Sequence, residues 1–295
     1  MVIANKIKEG LKKEIAELKS KGVQPHLVAI LIGDNAGARI YAKSQAKDCE
    51  SIGIKYTLEE LNANTTEAQL IEHVQKLNND KSVTAIILQM PLPQGVNARK
   101  IQAIIAKEKD AEGMNPANMG MVVYGNPTIG PCTPLGAFEL IKSIGVDLYG
   151  KEVVVVGHSE IVGKPIALLV LDKFATTTVC HIATSQKGML EYHTKRADIL
   201  IVAVGKAGLI KKDMVKPGVI VIDIGINRIP VLDEKGQPVI DEKGKKKMKT
   251  VGDCDFDGIK EIASYITPVP GGAGPMTVAM LLKNTVEAAK LQLGK

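Results

Sequence analysis

Apolar residues recur at helical spacing near both ends of the chain. Near the N-terminus they stand at Ile7, Leu11, Ile15 and Leu18. This spacing predicts an amphipathic helix that ends by Gly22. A second stripe stands at Val278, Leu281, Leu282 and Val286. Pro275 is placed to open this last helix, which we expect to pack back onto the first part of the chain.

Between these helices lie short apolar runs that lack polar alternation. They occupy 27–32, 84–88, 153–156, 177–181, 199–204 and 219–223. Such runs are typical of strands buried on both faces of a parallel sheet. Helical stretches alternate with them, so the fold class is α/β. We predict two α/β domains around a cleft, namely 1–145 completed by a helix at 275–295, and a Rossmann-like, doubly wound domain at 146–274.

Capping residues predict where several helices begin. Asp34 or Asn35 can cap a helix that runs to Ile52, and Thr66-x-x-Gln69 is a capping box. Thr133 is predicted as an N-cap with Pro134 at the first helical position. A further helix is expected from 165 to 174.

The loop after the valine strand is the strongest motif. Gly157 follows Val153–Val156 and precedes a predicted helix start at Pro165, with Ser159 in the place of a second glycine. Free N–H groups and the helix dipole would face a phosphate there. A merely tight structural turn is the alternative.

Spacing alone favours structural roles for the other polar residues. Tyr41 and Gln45 share a helix face and fit a packing face, whereas Gln89 after its strand fits a loop spacer. Asp110 and Glu112 are interpreted as surface turn residues. The 266–277 loop has three prolines and three glycines, so its backbone can approach a flat ligand closely. Residues 230–258, with Asp-Glu-Lys-Gly at 233–236 and again at 241–244, are interpreted as a surface excursion without chemistry.

Composition narrows the function classes. Aromatic residues make up 3% of the 295 residues and tryptophan is missing, which argues against stacking of single-stranded nucleic acid. The net charge of +6 depends largely on the lysines at 243–249, interpreted as a solvated face. Four scattered cysteines are expected to be reduced thiols. With no membrane-spanning run and no signal sequence, we expect a cytoplasmic protein.

Taken together, these motifs resemble the methylenetetrahydrofolate dehydrogenase/methenyltetrahydrofolate cyclohydrolase family over nearly the whole chain. They are Tyr41, ILQMPLP at 87–93, KDAEG at 109–113, PCTP at 131–134, GHSEIVGKP at 157–165, DIGINR at 223–228 and PVPGGAGPMT at 268–277. The resemblance implies a homodimer that binds folate in the cleft between its domains. It also implies hydride transfer from 5,10-methylenetetrahydrofolate to a nicotinamide dinucleotide.

Site residues follow from the resemblance by position. It implies catalytic roles at Tyr41, Gln45, Gln89 and Glu112. It implies further substrate contacts at Leu92, Pro268, Pro270, Gly271 and Gly272. It implies dinucleotide contacts at Thr133, Gly157, His158, Ser159, Ile161, Ile182, Val204, Gly205, Gly225 and Ile226.

Two departures from the family pattern concern the folate side. Bifunctional members carry a lysine four residues after the tyrosine, where this chain has Gln45. An amide does not titrate near neutral pH and cannot act as a general base. Lys43 and Lys47 lie on other faces of the helix. Glu112 also replaces an aspartate, so we expect the dehydrogenase to be retained and the cyclohydrolase to be weak or absent.

Cofactor preference is predicted from two further departures. Members that use NADP often place an arginine after the first glycine and a serine after the Cys-His of the next strand, where this chain has His158 and Ile182. Both are poor phosphate ligands compared with arginine. However, no acidic residue near Ile182 is placed to accept the ribose hydroxyls of NAD. We predict a preference for NAD, with NADP possible.

Several alternatives remain open at this point. The chain can be an ordinary bifunctional NADP-dependent enzyme, or a folate- or nucleotide-binding protein without catalysis. A reductase like shikimate dehydrogenase shares the layout but does not explain the proline-rich loops. A weak cyclohydrolase would require a separate cyclohydrolase in the same cell, which could be a physical partner.

Overall fold

In a computed structural model that describes residues 2–240, 242 and 244–294, the chain divides into two compact units. The first unit comprises Val2–Leu135 and 277–294, and the second comprises Gly136–Met276. The predicted domain limits, 1–145 with 275–295 and 146–274, remain a prediction. Among the described residues, no helix is both long and apolar enough to cross a membrane.

The first unit is built around a three-stranded parallel sheet in the order β2-β1-β3. Its elements are α1 (Val2–Ser20), β1 (His26–Ile32), α2 (Ala36–Ile52), β2 (Lys55–Leu61), α3 (Glu67–Asn79), β3 (Ala85–Leu88), α4 (Ala98–Ile104), α5 (Pro116–Val123) and α6 (Cys132–Ser143), which continues into the second unit. Every residue of the central strand β1 is buried, which confirms the strand predicted at 27–32. Strand β2 was not predicted, because at the sheet edge it carries polar residues such as Glu59 and Glu60.

Two predicted helix caps are confirmed and a third is wrong. The Asn35 side chain accepts a hydrogen bond from the Ala38 N–H at 2.9 Å, and Thr66 forms the capping box with Gln69. Helix α6 begins at Cys132. Thr133 therefore lies inside its first turn and does not cap it.

The second unit contains a five-stranded parallel sheet in the order β10-β7-β6-β4-β5. Its elements are β4 (Glu152–Val156), α7 (Gly163–Leu171), β5 (Thr176–Cys180), α8 (Ile182–Gln186), α9 (Leu190–Thr194), β6 (Ile199–Val202), β7 (Ile220–Asp223), β8 (Asn227–Pro230), β9 (Met248–Val251), α10 (Phe256–Lys260), β10 (Tyr265–Ile266) and the start of α11 (Ala273–Leu293). The strand order reverses beside β4, which is the doubly wound arrangement predicted from the apolar runs. Such sheets bind ligands at the carboxyl ends of the strands near that reversal.

A hairpin accounts for most of the 230–258 excursion, and α10 begins within its last residues. Strands β8 and β9 pair antiparallel, and at the first predicted tip the Gly236 N–H donates to the Asp233 carbonyl at 3.0 Å. At the second tip, Asp241 and Lys243 lie outside the described residues.

Helix α11 begins at Ala273, ahead of the predicted start at Pro275. From Thr277 onward it belongs to the first unit. Its residues Leu281, Leu282 and Val286 are buried.

Candidate active site

A cavity of about 290 Å³ lies within the first unit. Helix α2, the end of β3, the 110–113 turn and the starts of α6 and α11 supply its walls. It is lined by Gly37, Ala38, Tyr41, Ile87, Leu88, Gln89, Met90, Glu112, Cys132, Thr277 and Leu281. The fold thus brings together three predicted catalytic residues, Tyr41, Gln89 and Glu112. Leu92 is not among the lining residues and packs against the hydrophobic core of this unit.

Gln45 lies behind this cavity wall and links two of its neighbours. It is 1% exposed, and its Oε1 accepts hydrogen bonds from Gln89 Nε2 at 2.7 Å and from the Tyr56 hydroxyl at 3.3 Å. Its Nε2 makes no hydrogen bond within the described residues. A buried donor without a partner is costly. Because its Oε1 bonds both Gln89 and Tyr56, Gln45 is part of a polar network rather than only a neighbour on a packing face.

Tyr41 presents its ring to the cavity from the same face of α2. It is 43% exposed. Burial of the phenol nevertheless raises the pKa of Tyr41, and the nearby Gln45 amide opposes that shift. Lys43 and Lys47 are exposed, as expected for other faces of α2.

The 109–113 turn is not a surface turn, so that interpretation is wrong. The Ile86 N–H donates to the Lys109 carbonyl at 2.7 Å, and the Ala111 N–H donates to the Ile86 carbonyl at 3.1 Å. These bonds join the turn to the sheet beside β3. Asp110 is 2% exposed and accepts hydrogen bonds from the N–H groups of Gly113 and Asn115 at 3.0 and 2.6 Å.

Glu112 faces the cavity from this turn. Although the side chain is only half-buried, loss of hydration raises the pKa of Glu112 to about 7, and the neighbouring charge of Asp110 adds to the shift. Glu112 can therefore either hold or release a proton near neutral pH. It is the group in this cavity best suited to bind a ring nitrogen through a shared proton.

Asn284 of α11, which sequence reasoning missed, fixes the turn that carries Glu112. Its Nδ2 donates to the carbonyls of Ala111 at 2.9 Å and Gly130 at 2.8 Å. Gly113 has a φ of +74°, and a Cβ there would lie 2.0 Å from the Gly130 carbonyl carbon. The signal for Asn284 was present in the sequence, because an asparagine interrupts the apolar stripe of the last helix.

The loop after β4 is tight, but it does not offer the helical N–H groups that were predicted. Gly157 has a φ of +121°, and a Cβ there would lie 2.2 Å from the Ala203 carbonyl oxygen. Helix α7 begins at Gly163 and ends at Leu171, not at the predicted 165 and 174. The Ser159 hydroxyl accepts from the N–H groups of Val162 and Gly163 at 3.2 and 3.4 Å. The first helical amide is thus already bonded within the protein.

The other predicted dinucleotide residues gather at one edge of the second sheet. His158, Ile182, Val204 and Ile226 follow the carboxyl ends of β4, β5, β6 and β7. The rings of His158 and His181 lie 5.1 Å apart. The large apolar residues at this edge are exposed, namely Ile161, Ile182, Val204 and Ile226. Exposed apolar residues beside the strand-order reversal suit a flat ligand such as a nucleotide.

The remaining predicted residues lie elsewhere. Thr133 belongs to the first unit, where its hydroxyl lies 3.1 Å from that of Thr277. Pro268, Pro270, Gly271 and Gly272 belong to the second unit. Their segment folds into a turn in which the Gly272 N–H donates to the Pro268 carbonyl at 2.8 Å.

Comparisons with known proteins show the family and the fold. A family model described as the catalytic domain of tetrahydrofolate dehydrogenase/cyclohydrolase matches residues 1–112. The model for the NAD(P)-binding domain of the same family matches residues 131–293. A bifunctional protein FolD of Nautilia profundicola is 46% identical over 288 residues, which cover 98% of this chain and 95% of the relative.

Two solved structures have the same fold. The bifunctional FolD methylenetetrahydrofolate dehydrogenase/cyclohydrolase of Campylobacter jejuni has a TM-score of 0.89 at 45% identity, covering 98% of this chain and 96% of that one. The corresponding enzyme of Trypanosoma brucei, complexed with NADP and an inhibitor, has a TM-score of 0.89 at 36% identity, covering 100% and 97%.

Proposed function

Because the chain belongs to the tetrahydrofolate dehydrogenase/cyclohydrolase family, we propose that it oxidises 5,10-methylenetetrahydrofolate to 5,10-methenyltetrahydrofolate. The observation that carries this proposal is the cavity of the first unit, where Tyr41, Gln89 and Glu112 converge. The match of residues 131–293 to an NAD(P)-binding domain supports binding of the dinucleotide that this oxidation requires. The dinucleotide, when bound, provides the hydride acceptor.

The side chains of the first unit bind and orient the substrate. The Tyr41 ring offers a flat face to the pterin, and Glu112 holds or releases a proton against a pterin ring nitrogen near neutral pH. Gln89 is held by Gln45 and offers its amide beside the reacting carbon. Hydride transfer needs no titrating side chain, so positioning is the main contribution of these residues.

The residues at the edge of the second sheet fit a dinucleotide. Gly157 permits close approach of the backbone, and Val204, Ile182 and Ile226 offer exposed apolar contact. Gly205, in the loop after β6, has a φ of +76°, a backbone conformation that favours glycine.

An assay of reduced nicotinamide formation with methylenetetrahydrofolate tests the proposal. We expect turnover with at least one of NAD and NADP. Binding of both ligands without reduction would overturn the proposal and favour a folate- or nucleotide-binding protein that lacks catalysis.

We further propose that the cyclohydrolase step is weak. Gln45 is an amide that accepts from Gln89 and Tyr56 and has no proton to exchange near neutral pH. The bifunctional names of the relatives favour the alternative, in which both steps are carried out. Hydrolysis of methenyltetrahydrofolate at a rate close to the dehydrogenase rate would establish the alternative.

Cofactor preference is a separate proposal. His158 and the exposed Ile182 stand where a guanidinium and a hydroxyl would bind a ribose phosphate, which supports NAD. The Trypanosoma brucei structure contains NADP, which supports NADP. Comparison of kcat/KM for the two dinucleotides decides between them.

The oligomeric state and the cellular location of the protein are also part of the proposal. We propose a cytoplasmic homodimer that works alongside a separate cyclohydrolase if its own hydrolytic step is weak. Sedimentation of the purified protein tests the dimer, and cell fractionation tests the location. A monomer, or a membrane-associated fraction, would contradict these proposals.

A further inference from the structure

A buried carboxylate lies beneath the loop that follows β6. Asp253 is 0% exposed. Its Oδ2 accepts hydrogen bonds from the N–H groups of Val204 at 2.6 Å and Gly205 at 2.9 Å. Its Oδ1 accepts from the Lys206 N–H at 2.8 Å and from Asn227 Nδ2 at 2.8 Å. One side chain therefore binds three consecutive backbone amides of the 204–206 loop.

A second buried carboxylate holds Asp253 in turn. Asp223, at the end of β7, accepts from the N–H groups of Asp253 at 3.1 Å, Cys254 at 2.9 Å and Gly225 at 3.0 Å. Burial raises the pKa of Asp223, and the charge of Asp253 contributes to that shift. The position of Asp253, two residues after β9, is thus fixed in part by Asp223 at the end of β7.

Two glycines make room for these carboxylates. A Cβ at Gly225 would lie 2.1 Å from the Asp253 carboxyl carbon, and a Cβ at Gly252 would lie 1.9 Å from an Asp223 oxygen. Neither glycine has a positive φ. Their lack of a side chain is therefore explained by space for the carboxylates and not by backbone conformation.

The interpretation of 230–258 as a surface excursion is wrong for its final part, because Asp253 is buried. The hairpin of β8 and β9 returns the chain so that Asp253 follows β9 and reaches the edge of the sheet. Burial of a charge is expensive unless donors satisfy it, and here four donors do. An apolar residue would cost less to bury, but it would leave the three loop amides without an acceptor.

We propose that Asp253 is the positioning residue for the dinucleotide site, because it fixes the 204–206 loop on which Val204 and Gly205 are presented. The inference rests on the proposed function, since it assumes that this edge binds NAD or NADP. Asp253 itself is fully buried and acts through the loop, not through contact with the ligand.

The test is Asp253→Asn, which keeps the shape but replaces one acceptor oxygen with an NH₂ group. We expect the Kd for NADH or NADPH to rise about tenfold to a hundredfold, as for loss of charge-assisted hydrogen bonds. The KM for NAD or NADP should rise, whereas kcat at saturating dinucleotide should change less. Hydrogen exchange at 204–206 should accelerate while the amides of β6 stay protected, which a general loss of stability would not produce.

Asp255→Asn is the matched control. Asp255 is exposed and caps α10 through the Gly258 N–H, a role that asparagine fills equally well. We expect its Kd and its exchange pattern to equal those of the original protein. If Asp255→Asn weakens dinucleotide binding as much as Asp253→Asn does, the effect is not specific to the loop and the inference is wrong.

Other outcomes separate this inference from the proposed function. If the unaltered protein binds neither dinucleotide, the proposed function fails and the inference falls with it. If the unaltered protein binds dinucleotide and a folded Asp253→Asn variant binds it equally well, only the inference is overturned.

A second variant covers the case in which Asp253→Asn does not fold. Asn227→Ala removes one of the four donors and leaves the carboxylate in place. We expect a Kd increase of about threefold to tenfold with faster exchange at 204–206. An unchanged Kd together with unchanged exchange would overturn the inference.

Discussion

The candidate site of the first unit is formed mainly by side chains, whereas that of the second unit depends more on the backbone. The cavity of the first unit is lined by functional side chains, with Tyr41, Gln89 and Glu112 facing the same space. The edge of the second sheet relies on backbone, with glycine turns and amides held from below by Asp253. In the first unit one side chain can change the chemistry. In the second, a substitution can also act indirectly, by disturbing the frame that holds the loop amides.

The largest expected effect is a gain of function at Gln45. In Gln45→Lys, an amine enters the network with Gln89 and Tyr56, and burial should lower its pKa toward neutrality. A correctly placed general base or acid contributes about 10²- to 10⁴-fold, so cyclohydrolase activity should rise by that order. Dehydrogenase activity should stay within about tenfold, since hydride transfer does not depend on this group.

The measurement is the rate of the cyclohydrolase reaction and the rate of the dehydrogenase reaction on the same protein preparation. Gln45→Met, of similar size but unable to titrate, is the control and should not gain hydrolysis. An unchanged ratio of the two activities in Gln45→Lys would mean that the amide does not limit the hydrolytic step.

Glu112 should make stability depend on pH. Its pKa rises from 4.5 to about 7 on folding, so between these values the folded state binds more protons than the unfolded state. Stability contributed by this group is therefore present below pH 4.5 and lost as the pH rises through 7. The loss amounts to at most about 3 kcal/mol, less what partial solvent exposure screens.

Chemical unfolding of the original protein and of Glu112→Gln at pH 5 and pH 8 measures this effect. The variant should lose less free energy of unfolding between the two pH values. Equal losses in both proteins would show that Glu112 titrates normally.

In the second unit, Gly225→Ala should act through the frame. The new methyl group would overlap the Asp253 carboxyl group, so the dinucleotide Kd should rise about tenfold or more. Gly120→Ala, in α5 with open space around its Cβ position, is the control and should bind normally. Normal binding by Gly225→Ala, measured by titration with NADH or NADPH, would contradict the description of this edge as a fixed frame.

The smallest effect is expected at the cap of α2. Asn35→Ala removes the bond to the Ala38 N–H and should lower the free energy of unfolding by about 1 kcal/mol. Dinucleotide binding, a property of the other unit, should not change. Thermal unfolding and one binding titration measure both quantities, and a weakened titration would show that the cap affects more than α2.

The sequence was sufficient to predict the features that depend on nearby residues. The buried strand at 27–32, the cap at Asn35 and the capping box at Thr66 each depend on a few adjacent positions, and all are confirmed. Tyr41, Gln89 and Glu112, which line the first cavity, followed from motifs that resemble the family.

What the sequence did not reveal depends on distant partners. The turn at Asp110 is buried because its backbone pairs with Ile86, and Asp253 binds the 204–206 loop only because Val204 lies beside it. Ser159 was seen as a substitute for a glycine, although its hydroxyl takes the amides that a phosphate would otherwise meet. No pattern of neighbouring residues in the sequence predicts such contacts.

The first unit is formed from two chain segments that flank the second unit, and this affects the order in which the protein folds during synthesis. Helix α11 supplies Thr277 and Leu281 to the cavity, and Asn284 to the turn behind Glu112, yet it is translated after the whole of the second unit. The uninterrupted central stretch can collapse while it emerges, as domains generally do during synthesis. The N-terminal part of the first unit must wait for this closing segment, so the cavity of the first unit is completed last.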